Sequence, residues 1–281
     1  MKKILYFGAM CLTMQTPAIA QDFKRIIAIG GSAAETIVAL GSEKSIIAVD
    51  ITVKYPPSLT KLPNVGYIRA INAENIIALS PDAVITSDTF GPKNQVDLLK
   101  QTPIKIYTFK TMNTMQDLYD RTLNLGAFIG KKKQAEKLVT NLKKKHTAFQ
   151  SKLSKIKKPV RVMGVMYSKK GIYVAGENTS LGRIITLSGG ENSLQGIPKY
   201  SIISQESILK NNPDVIVVLG HRVQKDGSFK AILSNPSIQR TNAYKNNRIH
   251  IINSFLALSN GPRTVEAMTM LGKLFYPKHF K

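Results

Sequence analysis

With one cysteine, no tryptophan and 17 acidic residues against 40 basic ones in 281, this sequence excludes several functions before any motif is read. The single Cys11 leaves no pair for a disulfide, so stability rests on a core that a chain of this length is able to build. No apolar run of 18 residues occurs beyond the N-terminus, which argues against a multispanning membrane protein. A hydrophobic content of 43% argues equally against a disordered polyelectrolyte. Enzyme signatures are missing too: there is no Gly-x-Ser-x-Gly elbow, no His-Glu-x-x-His helix and no phosphate loop. The four histidines, His146, His221, His250 and His279, form no metal-spaced pair.

What is present begins with a leader. Lys2-Lys3, the apolar run Ile4 to Met14 and the small-residue site Ala18-Ile19-Ala20 have the pattern of a cleaved secretory signal, residues 1–20, with Gln21 first in the mature chain. Cleavage removes Cys11 and predicts a periplasmic protein. The mature chain keeps 38 Lys+Arg against 17 acids, a charge of +21. In a cytosolic chain that surplus would point to nucleic acid; export argues against it. The lysines of Lys131-Lys132-Lys133, Lys143-Lys144-Lys145 and Lys155 to Lys158 fall on solvated helical positions, and the field they create suits anionic surfaces or ligands.

Strands and helices alternate on both sides of one long helical stretch. Residues 24–29 run as a buried strand into Gly30-Gly31-Ser32 and a helix over 33–40; strands over 46–49 and 83–86 and a helix over 73–79 complete an α/β pattern. Beyond a strand at 104–109, Ala135, Leu138, Val139, Leu142, His146, Phe149, Leu153 and Ile156 recur at steps of three and four. This predicts a linking helix over 113–157, capped at Asn113 or Thr114, with Gly126 and Gly130 as points of bending and His146 packed in its apolar stripe. Its part from 131 to 156 alone spans about 39 Å at 1.5 Å per residue. Strands then resume at 160–166, 172–174, 214–219 and 249–252, before a closing helix at 264–275. The expected fold is α/β: two Rossmann-like lobes, 21–112 and 158–281, with mostly parallel sheets.

A repeat supports the two-lobe reading. Asn72-Ala73-Glu74-Asn75-Ile76-Ile77 through Pro81-Asp82-Ala83-Val84-Ile85 matches Ser204-Gln205-Glu206-Ser207-Ile208-Leu209 through Pro213-Asp214-Val215-Ile216-Val217, in phase and 132 residues apart. Each copy reads as a short helix, a Pro-Asp turn and a buried strand. Two such lobes leave a cleft at the carboxyl ends of their strands, where open α/β sheets take ligands.

Here the whole mature chain resembles the class III substrate-binding proteins of bacterial ABC importers, which capture cobalamin, siderophores or haem. Val65-Gly66-Tyr67-Ile68-Arg69 followed by Ala73-Glu74, and Gly261-Pro262-Arg263-Thr264 before the last helix, resemble the haem-binding branch. The resemblance implies ferric haem as the transported ligand, an inner-membrane permease with its ATPase as partner, an outer-membrane haem receptor system upstream, a monomer and no turnover. Tyr67 is implied as the axial ligand of the haem iron and Arg69 as its hydrogen-bonding support. The chemistry agrees: a phenolate is a hard anionic donor suited to Fe(III), and a nearby cation favours the phenolate over a phenol whose ordinary pKa is about 10. Arg222, after the strand that ends at Leu219, suits a propionate or the phenolate. Tyr167, Tyr173 and His221 lie where an opposing contact is expected. Glu74 and Glu206, at matching helix starts, are implied to dock on the two permease subunits, although each also favours a helix N-terminus. One departure stands out: Ser259-Asn260 replaces the glycine and aromatic that the branch often carries before Gly-Pro-Arg, with Phe255 and Leu256 further back. A ferric siderophore or cobalamin receptor is the nearest alternative, and a secreted α/β enzyme the alternative of another class.

Overall fold

The computed structural model describes residues 23–168, 171–223 and 228–280. The expected leader, residues 1–20, lies outside the described residues.

In the first lobe β1 (Ile26–Ala28), β2 (Ile46–Val49), β5 (Ala83–Ser87) and β6 (Lys105–Phe109) form a wholly parallel sheet in the order β2-β1-β5-β6. A small antiparallel hairpin, β3 (Gly66–Tyr67) with β4 (Ala70–Ile71), stands apart from it. β1 and β2 are apolar at every position because both faces of the sheet are covered there, while the edge strand β6 mixes Lys105 and Thr108 with its apolar residues. Ile26 and Ala28 pack toward Ala33 and Ile37 of α1 (Gly31–Ala39). Ile27 and Ile29 pack toward Ile76 of α2 (Ala73–Ile77) and Leu99 of α3 (Lys93–Lys100).

The second lobe carries β7 (Arg161–Ser168), β8 (Gly171–Val174), β10 (Ser201–Ile202), β11 (Val215–Leu219) and β12 (Ile249–Ile252) in the order β10-β8-β7-β11-β12. A short strand, β9 (Glu191–Asn192), lies parallel to the start of β7. β7, β11 and β12 run parallel, whereas β8 and β10 form an antiparallel edge. Helices α6 (Ser180–Leu187), α7 (Gln205–Asn211) and α12 (Thr264–Phe275) cover this sheet, with shorter α8 (Ser228–Leu233), α9 (Pro236–Gln239), α10 (Asn242–Lys245) and α11 (Ser254–Ala257).

Between the lobes the structure corrects the expected single helix over 113–157. Two helices occupy it: α4 (Met115–Phe128), held by a capping box of Thr114 and Asp117, and α5 (Lys132–Leu153). The chain reverses between them at Gly130, whose φ of 70° ends the first helix. Gly126 then lets the two approach, since a Cβ there would lie 2.3 Å from Cβ of Ala135. The periodicity continues through the reversal because both helices turn apolar faces inward. Met115, Leu118 and Tyr119 of α4 join the second lobe's core while Leu125 joins the first; α5 runs back, from Ala135 in the first core to Leu142 and Phe149 in the second. His146 bridges them, its Nδ1 2.9 Å from the Tyr119 hydroxyl.

The repeat is repeated in atoms. Asn72 and Ser204 cap α2 and α7, accepting from the N–H groups of Asn75 and Ser207. Ser80 and Asn212 take left-handed φ of 44° and 34° just before Pro81 and Pro213. The N–H of Asp82 donates to the carbonyl of Arg25, and that of Asp214 to the carbonyl of Arg161, both at 2.8 Å. Each carboxylate in turn accepts from backbone N–H at the start of its lobe's first strand: Asp82 from Lys24 and Arg25, Asp214 from Arg161.

Candidate functional site

Tyr67 sits at the carboxyl end of the first sheet, on a hairpin whose turn is only Ile68-Arg69. Gly66, with φ of +100°, begins it, and its carbonyl accepts from the N–H of Ile51 just past β2. Ile68 is buried in the core below, while Tyr67 is 41% exposed and Arg69 is exposed. The anchor is a buried carboxylate that sequence reading missed. Asp50 accepts from the N–H of Gly30 at 2.7 Å, from the Thr52 hydroxyl at 2.8 Å and from the backbone N–H of Ile68. Burial raises its pKa, against the lowering by these donors. One side chain thus ties the Gly30 turn, the end of β2 and the Tyr67 hairpin together.

On the other lobe β11 ends in Gly220-His221-Arg222, and β7 ends at Tyr167-Ser168. The Nε–H of Arg222 donates to Nε2 of His221 at 3.1 Å, and the imidazole ring lies 5.8 Å from that of Phe255. Partial burial, then the Arg222 charge, lower the His221 pKa and so favour its neutral form. Phe255, at the start of α11 beyond β12, is 41% exposed. Tyr167 and Tyr173 belong to one hairpin but to opposite faces, since Tyr173 pairs with Met166 and Tyr167 with Ile172. Tyr167 packs against the core that contains Val165 and Ile216, with Ile197 beside it. The two tyrosines therefore do not share one contact. Tyr67 and Arg69 share the hairpin of one lobe; His221 and Arg222 share a turn of the other.

The lobes meet through residues whose pairing sequence reading missed. The Ser32 hydroxyl donates to the carbonyl of Asn260 at 3.1 Å, and the Asn260 amide donates to the Ser180 hydroxyl. Beside them Arg263 makes a bidentate pair with Glu35 of α1, at 2.6 and 3.1 Å, and its guanidinium lies 3.7 Å from the centroid of the Tyr55 ring. Burial raises the Glu35 pKa in spite of the guanidinium. Gly31-Ser32 and Gly261-Pro262-Arg263 were visible as motifs, but 228 residues separate the partners, and no local pattern announces such a pair. Deeper in, Arg121 is buried over the Phe109 ring with Met112 Sδ 3.7 Å from its Nη2, and burial lowers its pKa to about 10.

Glu74 and Glu206 are exposed in the first turns of α2 and α7, at corresponding places on the two lobes. A cavity of about 680 Å³ lies by Phe23, Ile77, Pro81 and Pro103, and one of about 400 Å³ between α5 and α12; neither is lined by a predicted site residue. Among the described residues no helix is long and apolar enough to cross a membrane, and no group of three His, Cys, Asp or Glu side chains is placed to hold a metal ion.

Known proteins share this architecture. The periplasmic heme-binding protein RhuT of Roseiflexus sp. RS-1 superposes with a TM-score of 0.85 at 27% identity, over 92% of this chain and 99% of that one. The periplasmic heme-binding protein HutB of Vibrio cholerae gives 0.80 at 31% identity, over 90% and 99%. In sequence, a vitamin B12-binding protein of Vibrio parahaemolyticus is 27% identical over 95% of this chain and 94% of its own. The family model described as periplasmic binding protein matches residues 26–254. Two open α/β sheets and that match place the chain in the periplasmic binding protein family.

Proposed function

We propose that this ABC substrate-binding protein captures ferric haem through the Tyr67 phenolate and hands it, unchanged, to an inner-membrane permease and its ATPase. The observation that carries the reading is the Tyr67 hairpin: an exposed phenol held at a strand's carboxyl end by Asp50, two residues from an exposed guanidinium. A flat iron macrocycle with two carboxylates asks for a hard axial donor, cations and aromatic surface. Tyr67 answers the first, Arg69 and Arg222 the second, and Phe255 the third. The names of the structural relatives RhuT and HutB support the same ligand.

Cobalamin is the second reading, favoured by the name of the Vibrio parahaemolyticus relative. Cobalamin brings its own cobalt ligands and has no use for an exposed phenol beside an arginine. Glu74 and Glu206 are the proposed contacts to the paired permease subunits, where complementary charge sets orientation. Residues 1–20 act as the cleaved leader that delivers the chain to the periplasm.

Visible-absorption titration of the mature protein with ferric haem, beside cyanocobalamin and a ferric siderophore, tests the ligand. The expected result is a saturable tyrosinate-type spectrum at one or two equivalents, lost in Tyr67→Phe and weakened in Arg69→Ala. Haem binding that is weak, salt-sensitive and unsaturable, with saturable cobalamin binding, would give the site to cobalamin.

A further inference from the structure

Away from the cleft, the cavity of about 400 Å³ between α5 and α12 has the build of a ligand site. Its floor is apolar, formed by the buried Phe149, Val265 and Phe280, with the exposed Ala148 at its edge. Its rim carries Lys145 and Lys152, two turns apart on α5 and about 10 Å along the helix axis, and across from them the carboxylate of Glu266 on α12, two ammoniums against one acid. Neither lysine pairs with a carboxylate among the described residues, and the Lys152 ammonium sits 5.7 Å above the Phe280 ring. The inner end is Arg263, already neutralised by Glu35. A trough with an apolar floor, whose α5 edge keeps two ammoniums against the single carboxylate of Glu266 on α12, suits a carboxylate carried on a single apolar chain and bound at the α5 edge.

We propose that this groove binds a medium-chain fatty acid, its chain along Phe149, Val265 and Phe280 and its carboxylate on Lys145 or Lys152. The two ammoniums on the α5 edge select the acid over a neutral alcohol, and the volume of about 400 Å³ limits the chain. The inference does not depend on the cleft's ligand.

Isothermal titration of the mature protein with decanoate, decanol and decyltrimethylammonium tests it. Decanoate is expected to bind at one equivalent, at least tenfold more tightly than decanol, and the cation not at all. Each methylene added from hexanoate to decanoate tightens binding about fourfold, the ratio that burying a methylene gives. The Lys145→Glu, Lys152→Glu double variant loses at least tenfold, and Ala148→Trp, an exposed position, blocks the groove while leaving the melting temperature unchanged. Tyr67→Phe leaves decanoate binding intact, which separates this site from the cleft. The proposal is overturned by an absence of saturable binding, by decanol binding as tightly as decanoate, or by binding that survives Ala148→Trp.

Discussion

The two halves of the repeat share a skeleton and differ in one tyrosine. In the 132-residue register Tyr200 falls at the counterpart of Ile68, one position from that of Tyr67. Tyr67 stands 41% exposed on a two-residue turn. Tyr200 is turned into the second lobe, where burial pushes its pKa up to about 12 against its hydrogen bonds with the Thr179 side chain and the Leu181 backbone. A phenol so placed keeps its proton at neutral pH and is no use to iron. The caps, the left-handed residues and the aspartates that staple each strand stand at corresponding positions on both sides, though Ser204 replaces Asn72 and Asn212 replaces Ser80. What differs is the few residues entering the helix, a free hairpin in the first lobe and the edge strand β10 in the second. The scaffold repeats because side chains at matching positions hold matching backbone groups in each lobe; on the haem proposal, ligand choice lies in the short segment that they leave free.

The largest test of this contrast exchanges the fates of the two phenols. Tyr67→Phe is expected to weaken haem at least a hundredfold while moving stability by less than about 0.5 kcal/mol, as for other exposed positions. Absorption titration and urea unfolding of the same sample measure both. Next is the contact between the lobes. Arg263→Ala leaves Glu35 buried without its counter-charge and costs about 2–3 kcal/mol at neutral pH, less than a fully buried pair because Arg263 is partly exposed. Because burial raises the folded-state pKa of Glu35, its contribution to stability is whole below the ordinary carboxyl pKa and is lost as pH rises through the folded value. The deficit of Arg263→Ala should therefore shrink on going from pH 7 to about pH 4, which urea melts at the two pH values would show.

Tyr200→Phe reverses the pattern of Tyr67→Phe: about 1–2 kcal/mol of stability is lost with a buried hydroxyl's bonds, and the haem spectrum stays. Asp82→Ala and Asp214→Ala probe what the halves share. Asp82→Ala removes two bonds from strand backbone, and Asp214→Ala one such bond and one from the Asn242 amide, so their costs, about 1–2 kcal/mol, should agree within about 1 kcal/mol; a large disparity would show that the copies have diverged in energy. The smallest effect concerns His221. Its folded-state pKa is depressed, so its neutral form's contribution is present above the ordinary imidazole value and lost as pH falls through the folded one. Arg222→Ala removes the lesser of the two causes and should raise the His221 pKa slightly in an NMR titration.

Local patterns carried much of this into the sequence. The parallel strands of both sheets, the closing helix and the repeat announce themselves through buried runs, Pro-Asp turns and caps. Three features gave no such signal. The reversal at Gly130 hides inside an unbroken helical period, because two antiparallel helices facing one core repeat like one long one. Asp50 looks like any polar residue after a strand; only the fold brings Gly30 and Ile68 to it. Glu35 and Arg263 find each other across the whole chain.

The helical reversal has a thermodynamic consequence. Leu123 of α4 and Leu138 of α5 pack against both hydrophobic cores, and each helix crosses from one core to the other. Neither lobe can melt without stripping apolar surface from its neighbour, so the chain is built to lose both lobes in a single cooperative step. Calorimetry should then record one heat-absorption peak whose calorimetric and van't Hoff enthalpies agree, from a molecule that looks like two.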